Sequence, residues 1–191
     1  TADLFMTLFI QLLKKGGRAA VVLPDGFLFG EGMKTRLKEK LLTECNLHTI
    51  VRLPNGVFNP YTGIKTNLLF FTKGKPTEHV WYYEHPYPPG YKSYSKTKPM
   101  RFEEFQAEID WWGNEADGFA SRKETEQAWK VSIEDIQARN YNLDIKNPHQ
   151  GEQVNHDPNA LLAKYEQQQA DIQKIRDQLR NILAEALTRN T

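Results

Sequence analysis

The chain has 191 residues, enough for one medium-sized domain or for one domain with an appendage. Apolar residues make up 39% and charged residues 26%, which excludes a disordered polyelectrolyte and fits a packed core. Formal net charge is +1, and no apolar run approaches the roughly 20 residues that cross a bilayer, so no membrane partner is expected.

In chain order, Leu4, Phe5, Leu8, Phe9, Leu12 and Leu13 recur at helical spacing and predict an amphipathic helix from Ala2 to Lys15, stopped by Gly16 and Gly17. "RAAVVLP" (18–24) is a short continuous apolar run, the pattern of a strand buried on both faces, and Pro24 ends it. "DGFLFGEG" reads as a glycine-punctuated loop. Met33 to Cys45 predicts a second helix, with Leu37, Leu41 and Leu42 inward and Lys34, Arg36, Lys38 and Lys40 outward. "LHTIVRLP" (47–54) and "TNLLFFT" (66–72) are a second and third strand. "HVWYY" (79–83) is a fourth, and the short "KGKPTE" connection predicts a hairpin between the last two. Helix, strand, helix, strand and terminal hairpin make half of an α/β sheet, parallel with an antiparallel edge. The strands that complete it are expected upstream of Thr1, in a longer chain.

Residues 83–100, rich in Pro, Tyr and Lys, read as an irregular loop. Arg101 to Trp112 predicts a short acidic helix with Phe102, Phe105, Ile109 and Trp112 on its packed face and Glu103, Glu104, Glu108 and Asp110 outside, without an acid–base role. Ser132 is a candidate N-cap for a helix over 133–139, followed by an extended tail. After a polar linker, Leu161, Tyr165, Gln168, Ile172, Ile175, Leu179, Ile182 and Ala186 step by fours and threes, a heptad stripe. So narrow a stripe buries little against a globular core and suits a partner helix. Three parts are expected: residues 1–85 with the sheet, 86–150 as an irregular and helical extension, and 151–191 as linker and heptad helix.

Residues 1–75 carry 11 Lys/Arg against 5 Asp/Glu, a net of +6, and the remainder carries a net of −5. A basic first part suits phosphate, although by the count alone a chance spread over solvated faces accounts for it. Cys45, the lone cysteine, is read as a structural thiol, and with no leader the protein is expected to be cytoplasmic. His48 is read as a satisfied edge or core histidine. His79 and His85 have no Cys or carboxylate at ligand spacing, His149 and His156 fall in the linker, and no metal site is expected. Trp111 and Trp112 are expected to pack their helix onto the domain.

Asn59-Pro60-Tyr61-Thr62 resembles the Asn-Pro-Pro-aromatic tetrapeptide with which amino-group DNA methyltransferases hold the target amine. Its second Pro is replaced by Tyr61 and it follows the wrong strand, so it reads as a turn. The longer stretches "GGRAAVVLPDGFLFGEG" and "LHTIVRLPNGVFNPYTGIKTNLLFFTKG" resemble the modification subunits of type I restriction-modification systems, which are DNA adenine-N6 methyltransferases of the gamma arrangement. The resemblance covers residues 2–75 and continues more weakly through "WKVSIEDIQARNYNLDIKNP". It implies an α/β fold, the carboxyl-terminal half of a Rossmann-like methyltransferase sheet followed by a helical extension. The methyl donor would be S-adenosylmethionine, bound with the catalytic loop by the upstream part of the chain, so that this stretch alone is expected to be inactive. The implied partners are DNA, a specificity subunit and a restriction subunit. Pro24, Asp25, Phe27, Phe58, Lys65 and Thr66 fall where the family approaches the flipped base, with Phe58 as stacking group and Lys65 as phosphate contact. Leu161, Tyr165, Ile172, Ile175, Leu179 and Ile182 would dock the specificity subunit. Two alternatives remain open, a single-chain or fused restriction-methylation enzyme and a non-enzymatic helical interaction module.

Overall fold

A computed structural model describes residues 2–149 and 158–188. It divides into two compact units, residues 1–150 and 151–191. Within the first unit the elements are α1 (Ala2–Leu12), β1 (Arg18–Pro24), α2 (Asp25–Phe29), α3 (Met33–Glu44), β2 (Cys45–Arg52), β3 (Thr66–Lys73), β4 (His79–Glu84), α4 (Gln106–Trp111), β5 (Ala128–Ser132) and α5 (Ile133–Ala138). The second contains α6 (Pro158–Thr188). No helix among the described residues is long and apolar enough to cross a membrane.

The five strands form one mixed sheet in the order β1-β3-β2-β4-β5. β3 runs antiparallel to both β1 and β2, β4 runs parallel to β2, and β5 closes the far side antiparallel to β4. The expected hairpin of β3 with β4 is therefore absent: β3 has both edges occupied, so β4 adds to the free edge of β2. The short connection crosses over the start of β2 instead of turning beside β3. Thr77 fixes that crossing, its hydroxyl donating to the Cys45 carbonyl and accepting from the Leu47 amide, both at 2.8 Å. Two strands thus run against the other three, β3 inside the sheet and β5 at its rim. The stretch after residue 85 contributes β5, which its sequence had not suggested.

One face of the sheet packs α1, α2 and α3 around Met6, Ile10, Phe27, Leu41, Ile50 and Phe71. The other carries Val51, Leu53, Tyr83 and Ala128 beneath Phe105, Trp111 and Trp112. Trp111 packs on Trp81 and Tyr83, and Trp112 on Phe70, so the pair seats its helix as expected. β1 departs from the expectation of burial on both faces: this second layer does not reach it, and Val22 is 49% exposed. Cys45 is buried and its thiol pKa is raised by burial, in keeping with a structural role.

α1 is turned from its expected orientation. Met6 and Ile10 face the sheet, while Leu4, Phe5, Leu8, Phe9 and Leu12 are exposed. Asp3 pairs with Lys34 on α3 at 2.9 Å, and the Lys73 ammonium donates to the Ile10 carbonyl, which together set the helix's rotation. The helix is thus apolar on two sides, and only the narrower one is covered by described residues.

α2 forms where a loop was expected, capped at its end by an amine. Lys38, expected outward, is 1% exposed and donates to the carbonyls of Leu28 and Gly30 at 2.7 and 2.9 Å. Those are carbonyls the short helix leaves without intrahelical partners. Burial lowers the Lys38 pKa to about 8. Residues 102–111 also differ from expectation, beginning as a 3-10 turn (Phe102–Phe105) before α4. Three residues per turn instead of 3.6 shifts the phase. Phe102 and Ile109 point out, and Glu108 is buried. Ser132 caps α5 as read, its hydroxyl accepting from the Asp135 amide at 3.1 Å.

β2 carries a bulge at His48, where the register with β3 shifts. The ring is 7% exposed, bonded to the Thr49 hydroxyl at 2.7 Å and packed on Phe119. Burial lowers its pKa to about 4; Glu115 opposes the shift, and Arg122 and Arg18 reinforce it. The unfolded chain takes up a proton near pH 6.5 that the folded chain refuses until about pH 4. Stability therefore falls as pH drops through that window, by about 3 kcal/mol in all. Urea unfolding at about pH 7 and about pH 4.5 should show the loss, and His48→Gln should flatten it.

Candidate functional site

β1, β2 and β4 run in one direction, so their carboxyl ends share an edge with the start of β3. Four backbone bonds staple it: Asp25 N–H to Lys65 O, Leu53 N–H to Thr66 O, His85 N–H to Arg52 O and Glu84 N–H to Gln127 O. In open α/β sheets ligands collect at this edge, because the connections there carry side chains over exposed strand ends.

Pro24 ends β1 and pairs with Thr66, which starts β3. Asp25 opens α2 and accepts from the Asn67 amide at 2.7 Å, so its carboxylate is held from β3. These three and Lys65 are brought together as the sequence suggested. Phe27 is not available there: it is 1% exposed and lies in the core beneath α2, where it supports the edge without facing it. Thr66 is 8% exposed, and its buried hydroxyl has no hydrogen-bond partner among the described residues.

The connection from Leu53 to Lys65 presents Phe58 at 40% exposure, Tyr61 at 93% and Ile64 at 61%. Asn59 is used structurally, its amide donating to the Tyr94 carbonyl at 3.1 Å, and the Tyr61 amide closes a turn on Phe58 O. Residues 59–62 therefore form a turn, as read. Gly56 has φ +81°, and a Cβ there would meet Asn59 Nδ2 at 2.7 Å.

Beside this connection a cleft of about 470 Å³ opens over the ends of β2 and β4, within the size range of small-ligand sites. Arg52, Lys65, Glu84, His85, Glu126 and Asn147 are among its lining residues. Arg52 pairs with Asp144 at 2.7 Å and donates to the Ile145 carbonyl, which straps the 143–149 segment across the strand ends. Asn147 ties the same strap to Glu84 and to the Glu126 carbonyl. His85 is buried and bonded through Nδ1 to Glu108, a carboxylate partner that the sequence did not reveal; among the described residues its Nε2 has no hydrogen-bond partner. Among the described residues no group of three or more His, Cys, Asp or Glu side chains is placed to hold a metal ion.

Residues 1–157 match the family model described as N-6 DNA methylase. The chain belongs to that family. It is 73% identical over 190 residues to the EcoEI type I restriction enzyme methylase subunit of Escherichia coli, covering all of this chain and 39% of that protein. It is 38% identical over 142 residues to the EcoKI methylase subunit of Escherichia coli K12, covering 70% of this chain and 26% of that protein. The chain thus spans well under half the length of these relatives. Among solved structures, the EcoKI M protein superposes with a TM-score of 0.67 at 33% identity, over 76% of this chain and 37% of that one. A chain from work on complex assembly and conformational transition of the type I R-M system gives 0.74 at 34% identity, over 97% and 40%. This N-6 DNA methylase chain therefore shares its mixed sheet with type I modification subunits.

On α6, Tyr165, Ile172, Ile175 and Leu179 are between 43% and 57% exposed within the second unit. The side chains of Leu161 and Ile182 lie outside the described residues, as does His156.

Proposed function

We propose that this chain is the carboxyl-terminal part of a type I modification subunit, which transfers a methyl group from S-adenosylmethionine to adenine N6 in DNA. The observation that carries the reading is the 73% identity along the whole chain to a methylase subunit. The order β1-β3-β2, with an antiparallel strand between parallel neighbours, supports a Rossmann-like methyltransferase sheet continued by upstream strands. The exposed apolar side of α1 and the open edge of β1 are where such strands and their helices would pack.

The donor supplies an electrophilic methyl group for direct attack by the amine. The residues at the end of β1 do not fit a donor cradle, since Asp25 is bonded to Asn67 and Phe27 is buried. Donor binding and the catalytic loop are therefore assigned to the upstream part. This chain's role is to wall the base-facing edge: Phe58 offers a ring to an extruded base, Lys65 a cation to its phosphate, and Pro24, Asp25 and Thr66 fix the rim. Lys65 makes no ion pair or side-chain hydrogen bond among the described residues. In the full-length subunit Lys65→Ala should weaken DNA binding about tenfold at low salt and reduce the salt slope by about one. Fluorescence anisotropy across a salt series measures both.

The stripe on α6 supports docking against a long helix of a specificity subunit, in a complex that would also hold a restriction subunit. Ile172→Asp with Ile175→Asp should abolish co-purification of the two subunits while leaving the fold of residues 2–149 unchanged by circular dichroism. Methyl transfer by the assembled complex tests the reading as a whole.

A further inference from the structure

We propose that the cleft over the carboxyl ends of β2 and β4 is a second nucleotide subsite. It would take an unpaired base bearing an exocyclic amino group, with Lys65 at its rim for the adjoining phosphate. The inference rests on the methyltransferase reading and deepens it.

Three features carry it. The cleft measures about 470 Å³, room for a nucleoside, and it lies at the strand-end edge of the sheet. Lys65 belongs both to this cleft and to the rim of Asp25 and Thr66, since its carbonyl accepts from Asp25 N–H. A strand whose phosphate meets Lys65 therefore passes from one to the other. The walls hold carboxylates and amides rather than a cluster of cations: Glu126 and Asn55 are exposed at the mouth, and Arg52 is already neutralised by Asp144. Phosphate alone would disfavour such a lining, whereas carboxylates accept hydrogen bonds from base amino groups, as from cytosine N4. Adenine, cytosine and guanine carry the amino group that these acceptors need; thymine does not.

The test uses the full-length methylase subunit in its complex and fluorescein-labelled pentanucleotides of dA, dC or dT, followed by anisotropy. The expected result is binding of dA and dC about tenfold tighter than dT, one hydrogen bond's worth of discrimination. Glu126→Ala and Asn55→Ala change exposed side chains and leave the fold intact; each should bring dA and dC toward the dT value. Equal affinity for all three oligonucleotides would overturn the proposal, as would a preference that survives both substitutions. Methyl transfer from labelled S-adenosylmethionine to duplex DNA, run on the same wild-type preparation, reads the underlying assignment separately. Transfer with no base preference removes the subsite alone, and no transfer removes the reading on which it rests.

Discussion

Replacing Arg122 with alanine is expected to destabilise the protein by about 4 kcal/mol, a loss of about 2 M in the urea midpoint. Arg122 is 5% exposed and bonds to the two residues at the bulge in β2. Its Nη1 donates to the His48 carbonyl at 3.3 Å and to the Thr49 hydroxyl at 2.9 Å, and Nε donates to the Trp112 carbonyl at 2.7 Å. The guanidinium lies 3.7 Å from the Phe119 ring centroid, 4.5 Å from that of Trp111 and 5.1 Å from that of Trp112. Burial lowers its pKa to about 10, with Glu115 opposing, so it stays charged at neutral pH. Truncation leaves buried acceptors unmet, at about 1 kcal/mol or more each, and removes a desolvated cation–π contact of about 2 kcal/mol. Arg122→Lys should recover only part of the loss, because an ammonium cannot reach the three acceptors as a planar fork does. A loss under about 1 kcal/mol for Arg122→Ala would show that the layer of Trp111 and Trp112 holds without it.

Glu108→Ala is expected to cost about 3 kcal/mol, since it leaves His85 buried with neither ring nitrogen partnered. Glu104 Oε2 sits 4.0 Å from Nε2, too far to replace the lost bond, and is itself engaged by the Tyr94 hydroxyl. The double substitution of His85→Phe with Glu108→Leu should recover most of the stability, because no buried polar group is then stranded and the new ring can keep the packing on Phe105. Chemical denaturation of the two variants distinguishes the cases. Equal losses for both would mean that packing volume, and not the polar pair, is what Glu108 contributes.

The first four strands were legible because each is a short apolar run closed by Pro or Gly. Strand order was not. Nothing in "KGKPTE" distinguishes a hairpin from a crossing, and the decisive feature is the buried hydroxyl of Thr77, which acts only once β2 lies beneath it. Lys38 and Glu108 were misplaced for a related reason. Helical periodicity sends a charge outward unless a partner awaits it, and their partners, the α2 carbonyls and His85, come from distant stretches of chain. The neighbourhood of the candidate residues was partly legible: Pro24, Asp25, Lys65 and Thr66 do meet, joined by backbone pairing. Phe27 was misjudged because α2 turns its ring under the sheet edge. The pairing of β5 with β4, and with it the wall that completes the cleft, had no local signal in a segment otherwise read as loop and helix.

The most direct test is methyl transfer by the full-length protein in complex with its partner subunits, using S-adenosylmethionine labelled on the methyl group, with the DNA digested to nucleosides. The account predicts label in N6-methyladenine, and none when residues 1–191 are assayed alone. Label on cytosine, or none in DNA from the full complex, would contradict it.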